Sequence, residues 1–158
     1  MANQIVLGSG ELFITPFDSA TGIPDDAVLE VMANNVGFIK GGASVEYKPT
    51  EYEIFDDSYA VHQRFITSEE VSFKSGILTW NVETLKNLMA DGSYVDNSET
   101  RVRTLKLGGK SARLMKEYII RFVHTYSDGN KLRITLVGTA SNGFTLAFAP
   151  DKETVIDA

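Results

Sequence analysis

The sequence predicts one mainly β domain of antiparallel strands with a single short helix in mid-chain. Three observations predict it. The dominant hydrophobic period is two, Gly- and Asp/Asn-containing turn signals recur between the alternating segments, and only residues 81–90 carry helical spacing. With 158 residues, 43% of them hydrophobic, the chain has the length of one domain and enough apolar side chains for a core.

The elements follow in order. Gly10–Phe17 reads as a strand that ends at Pro16 and a polar turn. Val36–Lys40 and Ala43–Lys48 read as strands flanking a Gly41-Gly42 hinge. Residues 48–65 then form a long polar loop rich in Tyr and Phe. Loops beyond about 12–15 residues in a compact domain are usually functional, and exposed aromatics suggest an interface; the alternative is an extended hairpin packed on its own domain. Val71–Phe73 and Ile77–Trp80 are strands around Ser75-Gly76. The helix covers Asn81–Ala90, with Val82, Leu85, Leu88 and Met89 on one face. Asn81 caps its start, Glu83 sits in the first turn where the helix dipole favours an acid, and Asp91-Gly92 ends it. Leu85 and Leu88 are expected in the core.

The C-terminal half returns to period two. Arg101–Leu107 alternates, with Val102, Leu105 and Leu107 as its apolar residues, before Gly108-Gly109. Glu117–His124 and Lys131–Val137 are joined by Ser127-Asp128-Gly129-Asn130, whose Asp-Gly supplies the positive φ of a tight turn. In the second strand Lys131, Arg133 and Thr135 share a wet face, and Leu132, Ile134 and Leu136 a buried one. Phe144–Ala149 follows the Ser141-Asn142-Gly143 turn as the third strand of a meander, and this meander and Arg101–Leu107 are expected in the main sheets.

Composition narrows the function. No cysteine is present, which excludes a disulfide framework, a thiolate zinc site and a cysteine nucleophile. A net charge of −6 and a pI near 4.9 disfavour tight phosphate binding. The N-terminus lacks the basic start and apolar run of a secretory signal, and no run approaches the roughly 18 apolar residues of a membrane span. Synthesis and retention in the cytoplasm are therefore expected, unless the protein leaves inside something larger.

The search for chemistry finds turns and solvated charge. His62 and His124 stand far apart, neither with a carboxylate at metal spacing, and read as solvent-facing or satisfied polar side chains. Gly8-Ser9-Gly10, Gly41-Gly42 and Gly108-Gly109 lack the helix of a phosphate or dinucleotide loop. Asp25-Asp26, Asp56-Asp57 and Glu69-Glu70 lack calcium-loop spacing and read as solvated charge, and Trp80 reads as core rather than a sugar platform. No catalytic, cofactor or metal site emerges, so an enzyme is not expected.

Three segments carry a resemblance. Val6-Leu7-Gly8-Ser9-Gly10-Glu11-Leu12-Phe13-Ile14 and Val36-Gly37-Phe38-Ile39-Lys40-Gly41-Gly42-Ala43-Ser44-Val45-Glu46-Tyr47, with Thr67-Ser68-Glu69-Glu70-Val71-Ser72-Phe73-Lys74 after the long loop, resemble tail tube proteins (major tail proteins) of tailed bacteriophages and related tail-like particles. The mid-chain helix and terminal meander also fit, so the likeness covers most of the chain. It implies a β-sandwich or barrel-like subunit, residues 1–158 as one tail-tube domain with an assembly loop at about 48–65. Such subunits form hexameric rings stacked into a hollow tube whose β-barrel lumen all subunits line.

The resemblance implies a virion structural protein, assembled in the host bacterial cytoplasm, whose partners are further copies and other tail proteins such as tape measure, terminator and baseplate components. DNA would pass through the lumen without tight binding, no membrane is involved, and no cofactor is needed. Tyr47, Tyr52, Phe55, Tyr59 and Phe65 are the candidate inter-subunit contacts. Ser44, Glu46, Glu70 and Ser72 are candidates to face the lumen, where an acidic or neutral wall would keep DNA mobile; the alternative is that these acids solvate the outer surface. Three rival readings differ: the inner tube of a contractile or secretion-type injection particle, a carbohydrate-binding β-sandwich, and a hydrolase using a carboxylate pair.

Overall fold

The computed structural model describes residues 10–55, 57, 61–77, 89, 92–108, 116–140, 143, 145–146 and 156–157. They are mainly β, in open sheets rather than a closed barrel. The chain divides into two compact units, residues 1–42 with 75–158, and residues 43–74. The expected helix at 81–90, with Leu85 and Leu88, lies outside the described residues apart from Met89, which is buried.

In the larger unit, β1 (Glu11–Pro16), β6 (Tyr118–Thr125) and β7 (Lys131–Gly138) form an antiparallel sheet with β6 in the middle. Residue pairs Leu12↔Phe122 and Ile14↔Ile120 on one side and Phe122↔Ile134 and Ile120↔Leu136 on the other put these apolar residues on one face. The β6–β7 turn forms as expected: Gly129 takes φ +85°, the Tyr126 N–H donates to the Asn130 carbonyl at 2.8 Å, and the Asn130 N–H donates to Asp128 Oδ1 at 3.0 Å.

The opposite face is covered by the chain that follows β1. A one-turn helix α1 (Asp26–Leu29) and a 3-10 turn (Met32–Asn34) bring Leu29 and Val36 into the core at 1% and 3% exposure. The Asn34 amide donates to the carbonyls of Val28 and Leu29, closing the end of α1 that has no further turn to do so. Val36 N–H then donates to Leu12 O at 2.8 Å, so the segment lies along the free edge of β1.

A buried cation fixes this arrangement. Arg121, 6% exposed, shares a face of β6 with Ile119 and Val123. It donates to Asp26 Oδ1 at 2.6 Å and Glu30 Oε1 at 3.3 Å, while its Nε has no hydrogen-bond partner among the described residues. Arg133 donates to Glu30 at 2.6 Å and Lys131 lies 3.6 Å from it. Asp26 was expected as solvated charge; the structure instead uses it to neutralise a guanidinium that cannot stay buried alone.

Other expectations are corrected. Val36–Lys40 and Ala43–Lys48 are not two strands, because β2 runs without a break from Ile39 to Phe55. Ser75-Gly76 is no turn, because β3 runs from Val61 to Ile77. Of the expected third meander strand Phe144–Ala149 the described part is β8 (Thr145–Leu146), which pairs not with β7 but with β9 (Ile156–Asp157), in a sheet ordered β2-β3-β9-β8. Among the described residues the strand Arg101–Leu107 pairs with β4 (Gly92–Asn97) alone, as β5 (Val102–Leu107) of a two-stranded ribbon, not with a main sheet. Alternation defines faces but not which strand lies alongside, hence these misassignments. β7 is an edge strand, and Leu132, expected buried, is 39% exposed while Ile134 and Leu136 are half-buried. His124 is buried, its ring edge-on to Tyr126 at 4.9 Å.

The ion network carries a pH signature. The Arg121 hydrogen bond holds the Asp26 carboxyl below its ordinary value, and the Arg133 hydrogen bond does the same for Glu30. Both carboxyls are thus more acidic folded than unfolded, so their stabilisation is complete above the ordinary carboxylate range near pH 4 and is lost as pH falls through the lowered values. In urea unfolding from pH 7 to pH 2.5, the acid decline should be steep in the wild type and shallower in Glu30→Gln, which should also be less stable at pH 7. Parallel pH profiles for the two proteins would show that Glu30 contributes nothing through its charge.

Candidate interaction surface

The segment expected as a loop at 48–65 is instead the outer part of a long hairpin. β2 and β3 are 17 residues each and are hydrogen-bonded neighbours, and residues 43–74 form a compact unit of their own. The reason lies in the sequence: from Ala43 to Phe55 no residue forces a positive φ, Pro49 is tolerated on an edge strand, and Val, Tyr, Ile and Phe favour extended backbone.

Cross-strand bonds identify the faces near the base of this arm. The Glu46 carboxylate is hydrogen-bonded by Ser72, and Tyr47 OH donates to Glu69 Oε1 at 2.5 Å. Strand alternation then puts Ser44, Glu46 and Lys48 with Glu70, Ser72 and Lys74 on one face, and Val45 and Tyr47 with Glu69, Val71 and Phe73 on the other. All four lumen candidates, Ser44, Glu46, Glu70 and Ser72, therefore share one polar face. That face is mixed in sign. Lys48 lies 3.0 Å from Glu46 and, with Lys74, holds its carboxyl below the ordinary value. On the other face the Glu69 hydrogen bond raises the Tyr47 phenol, which stays protonated at neutral pH.

The candidate contact residues are open to solvent. Tyr47 is 53% exposed, Tyr52 60%, Phe55 50% and Phe65 44%, and Tyr59 lies outside the described residues. Sequence reasoning passed over Val45, Ile54, Ile66 and Val71, all exposed as well. The signal for Ile54 was the alternation Thr50-Glu51-Tyr52-Glu53-Ile54 inside the supposed loop, whereas Val45, Ile66 and Val71 lie outside it. Within the arm only hydrogen bonds such as Thr67 Oγ1 to Thr50 O and pairs such as Arg64–Glu53 at 2.7 Å tie the strands. An isolated two-stranded hairpin is marginal in water, and exposed aromatics at this density mark a surface that meets something.

Among the described residues no group of three or more His, Asp or Glu side chains could hold a metal ion. No protein-family model matches the chain, and no curated protein or solved structure is similar to it.

The arm begins at a backbone device. Gly41 and Gly42 lie within β2 at φ +83° and +82°, and the boundary between the two compact units falls immediately after them. Their role as a hinge between two strands is replaced by one as a double kink inside a single strand. A Cβ at either would meet no atom within 4 Å, so any cost of substitution is backbone strain. Gly41→Ala and Gly42→Ala should each lose about 1–2 kcal/mol in urea unfolding, whereas Gly138→Ala, with open space and an ordinary φ, should be near neutral. Equal effects at all three positions would remove the conformational argument.

Proposed function

We propose that this protein is a structural subunit that polymerises as stacked hexameric rings into a hollow tail tube, in a bacteriophage virion or a related tail-like particle, through which DNA is delivered. The observation that carries the reading is the β2–β3 arm: a separate compact unit with Tyr47, Tyr52, Phe55 and Phe65 exposed. Such a surface is covered most economically by another copy. The resemblance of residues 6–14, 36–47 and 67–74 to tail tube proteins supports the same reading.

On this reading the arm reaches a neighbouring subunit, and the strands that are edges in one chain, β7 and β2, find partners on ring closure. The polar face bearing Ser44, Glu46, Glu70 and Ser72 looks into the lumen, where its balanced charge gives passing phosphates no array of cations to bind. The other tail proteins, tape measure, terminator and baseplate components, contact the ends of the tube. Assembly takes place in the host cytoplasm.

Negative-stain microscopy of concentrated protein should show rings or hollow tubes. Deleting Thr50–Gln63 should leave a folded subunit that no longer polymerises, since aromatic anchors at an interface each contribute about 2 kcal/mol or more. Tubes of normal length from that deletion, or a persistent monomer of the full chain at all concentrations, would refute the proposal. Assembled tubes should also show no micromolar affinity for duplex DNA at physiological salt; such affinity would overturn the idea of a non-binding conduit.

A further inference from the structure

Residues 23–38 lie against the β1-β6-β7 sheet with little apolar attachment. Of their larger apolar side chains only Leu29 and Val36 are buried, whereas Ile23, Val28, Val31, Met32 and Phe38 are exposed, from 39% at Val31 to 84% at Met32. Their helical turns, four and three residues long, are too short to stand alone. Charge does most of the holding. Arg121 on β6 meets Asp26 and Glu30, and Arg133 and Lys131 on β7 meet the same acids. β1 sets Phe13 opposite Arg121, and Asp25, exposed at the N-cap of α1, is the remaining acid nearby.

The same segment occupies the edge of β1. The Val36 N–H donates to Leu12 O at 2.8 Å, and Asn35 is bridged to Phe13. While these bonds stand, no other strand can pair there. At its start the segment is tethered, because the Phe17 N–H donates to Glu117 O and Asp18 closes a turn at Gly22.

We infer that residues 23–36 are a charge-held cover that opens as a unit when Asp26 and Glu30 lose their charge, leaving β1, β6 and β7 folded and the edge of β1 free. The inference goes beyond the proposed assembly and does not depend on it. Arg121 keeps its proton at any accessible pH, so neutral acids would leave a buried cation with no counter-charge. Opening relieves this by letting water reach the guanidinium, whose Nε already has no partner among the described residues. Leu29 and Val36 oppose opening and keep the cover shut while the acids are charged. Segments with so few buried contacts open below the free energy of global unfolding. Both carboxyls are held below their ordinary values, so the closed form is complete at neutral pH and is lost as pH falls through those lowered values.

Amide hydrogen exchange, resolved by NMR on the full-length chain from pH 7 to pH 3 and corrected for intrinsic rates, tests this. The Glu30, Asn34 and Val36 amides, which donate to Asp26 O, Val31 O and Leu12 O, report the cover, and the amides of β6 and β7 report the sheet. Protection at the cover should fall about tenfold or more across that range while β6 and β7 keep theirs. Asp26→Asn with Glu30→Gln should show the low cover protection already at pH 7 and lose no more on acidification. Asp26→Asn alone, which leaves Glu30 on Arg121 and Arg133, should give an intermediate profile and serves where the double variant does not fold.

Cover and sheet losing protection together at every pH would overturn the inference, since the segment would then be part of one cooperative unit. Cover protection that persists to pH 3, or a double variant as protected as the wild type at pH 7, would show that charge does not hold it. Cover amides unprotected in the wild type at pH 7 would remove the closed form itself.

Discussion

One buried guanidinium dictates how the chain runs from the end of β1 to Val36. Arg121 stands in the middle of the central strand β6, opposite Phe13 on β1 and Thr135 on β7, at 6% exposure. A cation so placed must be met by carboxylates, because breaking a buried pair costs several times what a surface pair contributes. Asp26 and Glu30 meet it, and both can do so only if residues 26–30 turn helically across that face. Once they do, Leu29 falls into the core, Asn34 closes the turn, and Val36 reaches the edge of β1. The network thus acts on chain path as much as on stability. Arg133 and Lys131 add a second cationic row from β7, so the acids bridge two strands rather than one.

The arm obeys the opposite rule. It has hydrogen-bonded backbone and cross-strand pairs, yet within its own unit no second layer lies over either face. Its cross-strand contacts are exposed ones, each contributing tenths of a kcal/mol, and cannot make a hairpin of this length strongly stable alone. Gly41 and Gly42 mark where one regime gives way to the other. Before them the chain follows a buried core, and after them two strands are held by each other.

What could be read from sequence divides along the same line. The β6–β7 hairpin was legible because Asp128-Gly129 specifies a turn locally and the flanking strands alternate without interruption. β1 was legible because Pro16 ends it. Which strands pair was not: β4 pairs with β5 as a local hairpin although Gly92–Asn97 shows no clear alternation, and β8 and β9, at two residues each, are too short to show a period. Helix α1 was missed because four residues contain too little periodicity, and its cause, Arg121, lies 95 residues further on. At the arm, the exposed aromatics Tyr47, Tyr52, Phe55 and Phe65 could be picked out from composition, but the length and polar character of residues 48–65 suggested a loop, with an extended hairpin as the alternative. Period two, followed past Lys48, would have shown the strand; the polar face carrying Glu46 and Ser72 then follows from alternation alone.

The arm's shortage of intramolecular support has a consequence for how copies combine. If a second copy covers the arm, the free energy of that contact also orders the arm, and the two are linked by mass action. Binding at 100 times the dissociation constant stabilises the bound form by about 2.7 kcal/mol, a large share of what a marginal hairpin lacks. A subunit built this way keeps its folded identity in the Arg121-centred sheet, which needs no partner, and leaves the contact element weakly stabilised until concentration rises. If copies do associate through the arm, separating it from the core by a pair of positive-φ glycines would let each be tuned alone: changes on the arm would act on association, and packing around Leu29 and Ile119 on folding. A single continuous core would couple them, and every change that weakened a contact would also endanger the fold.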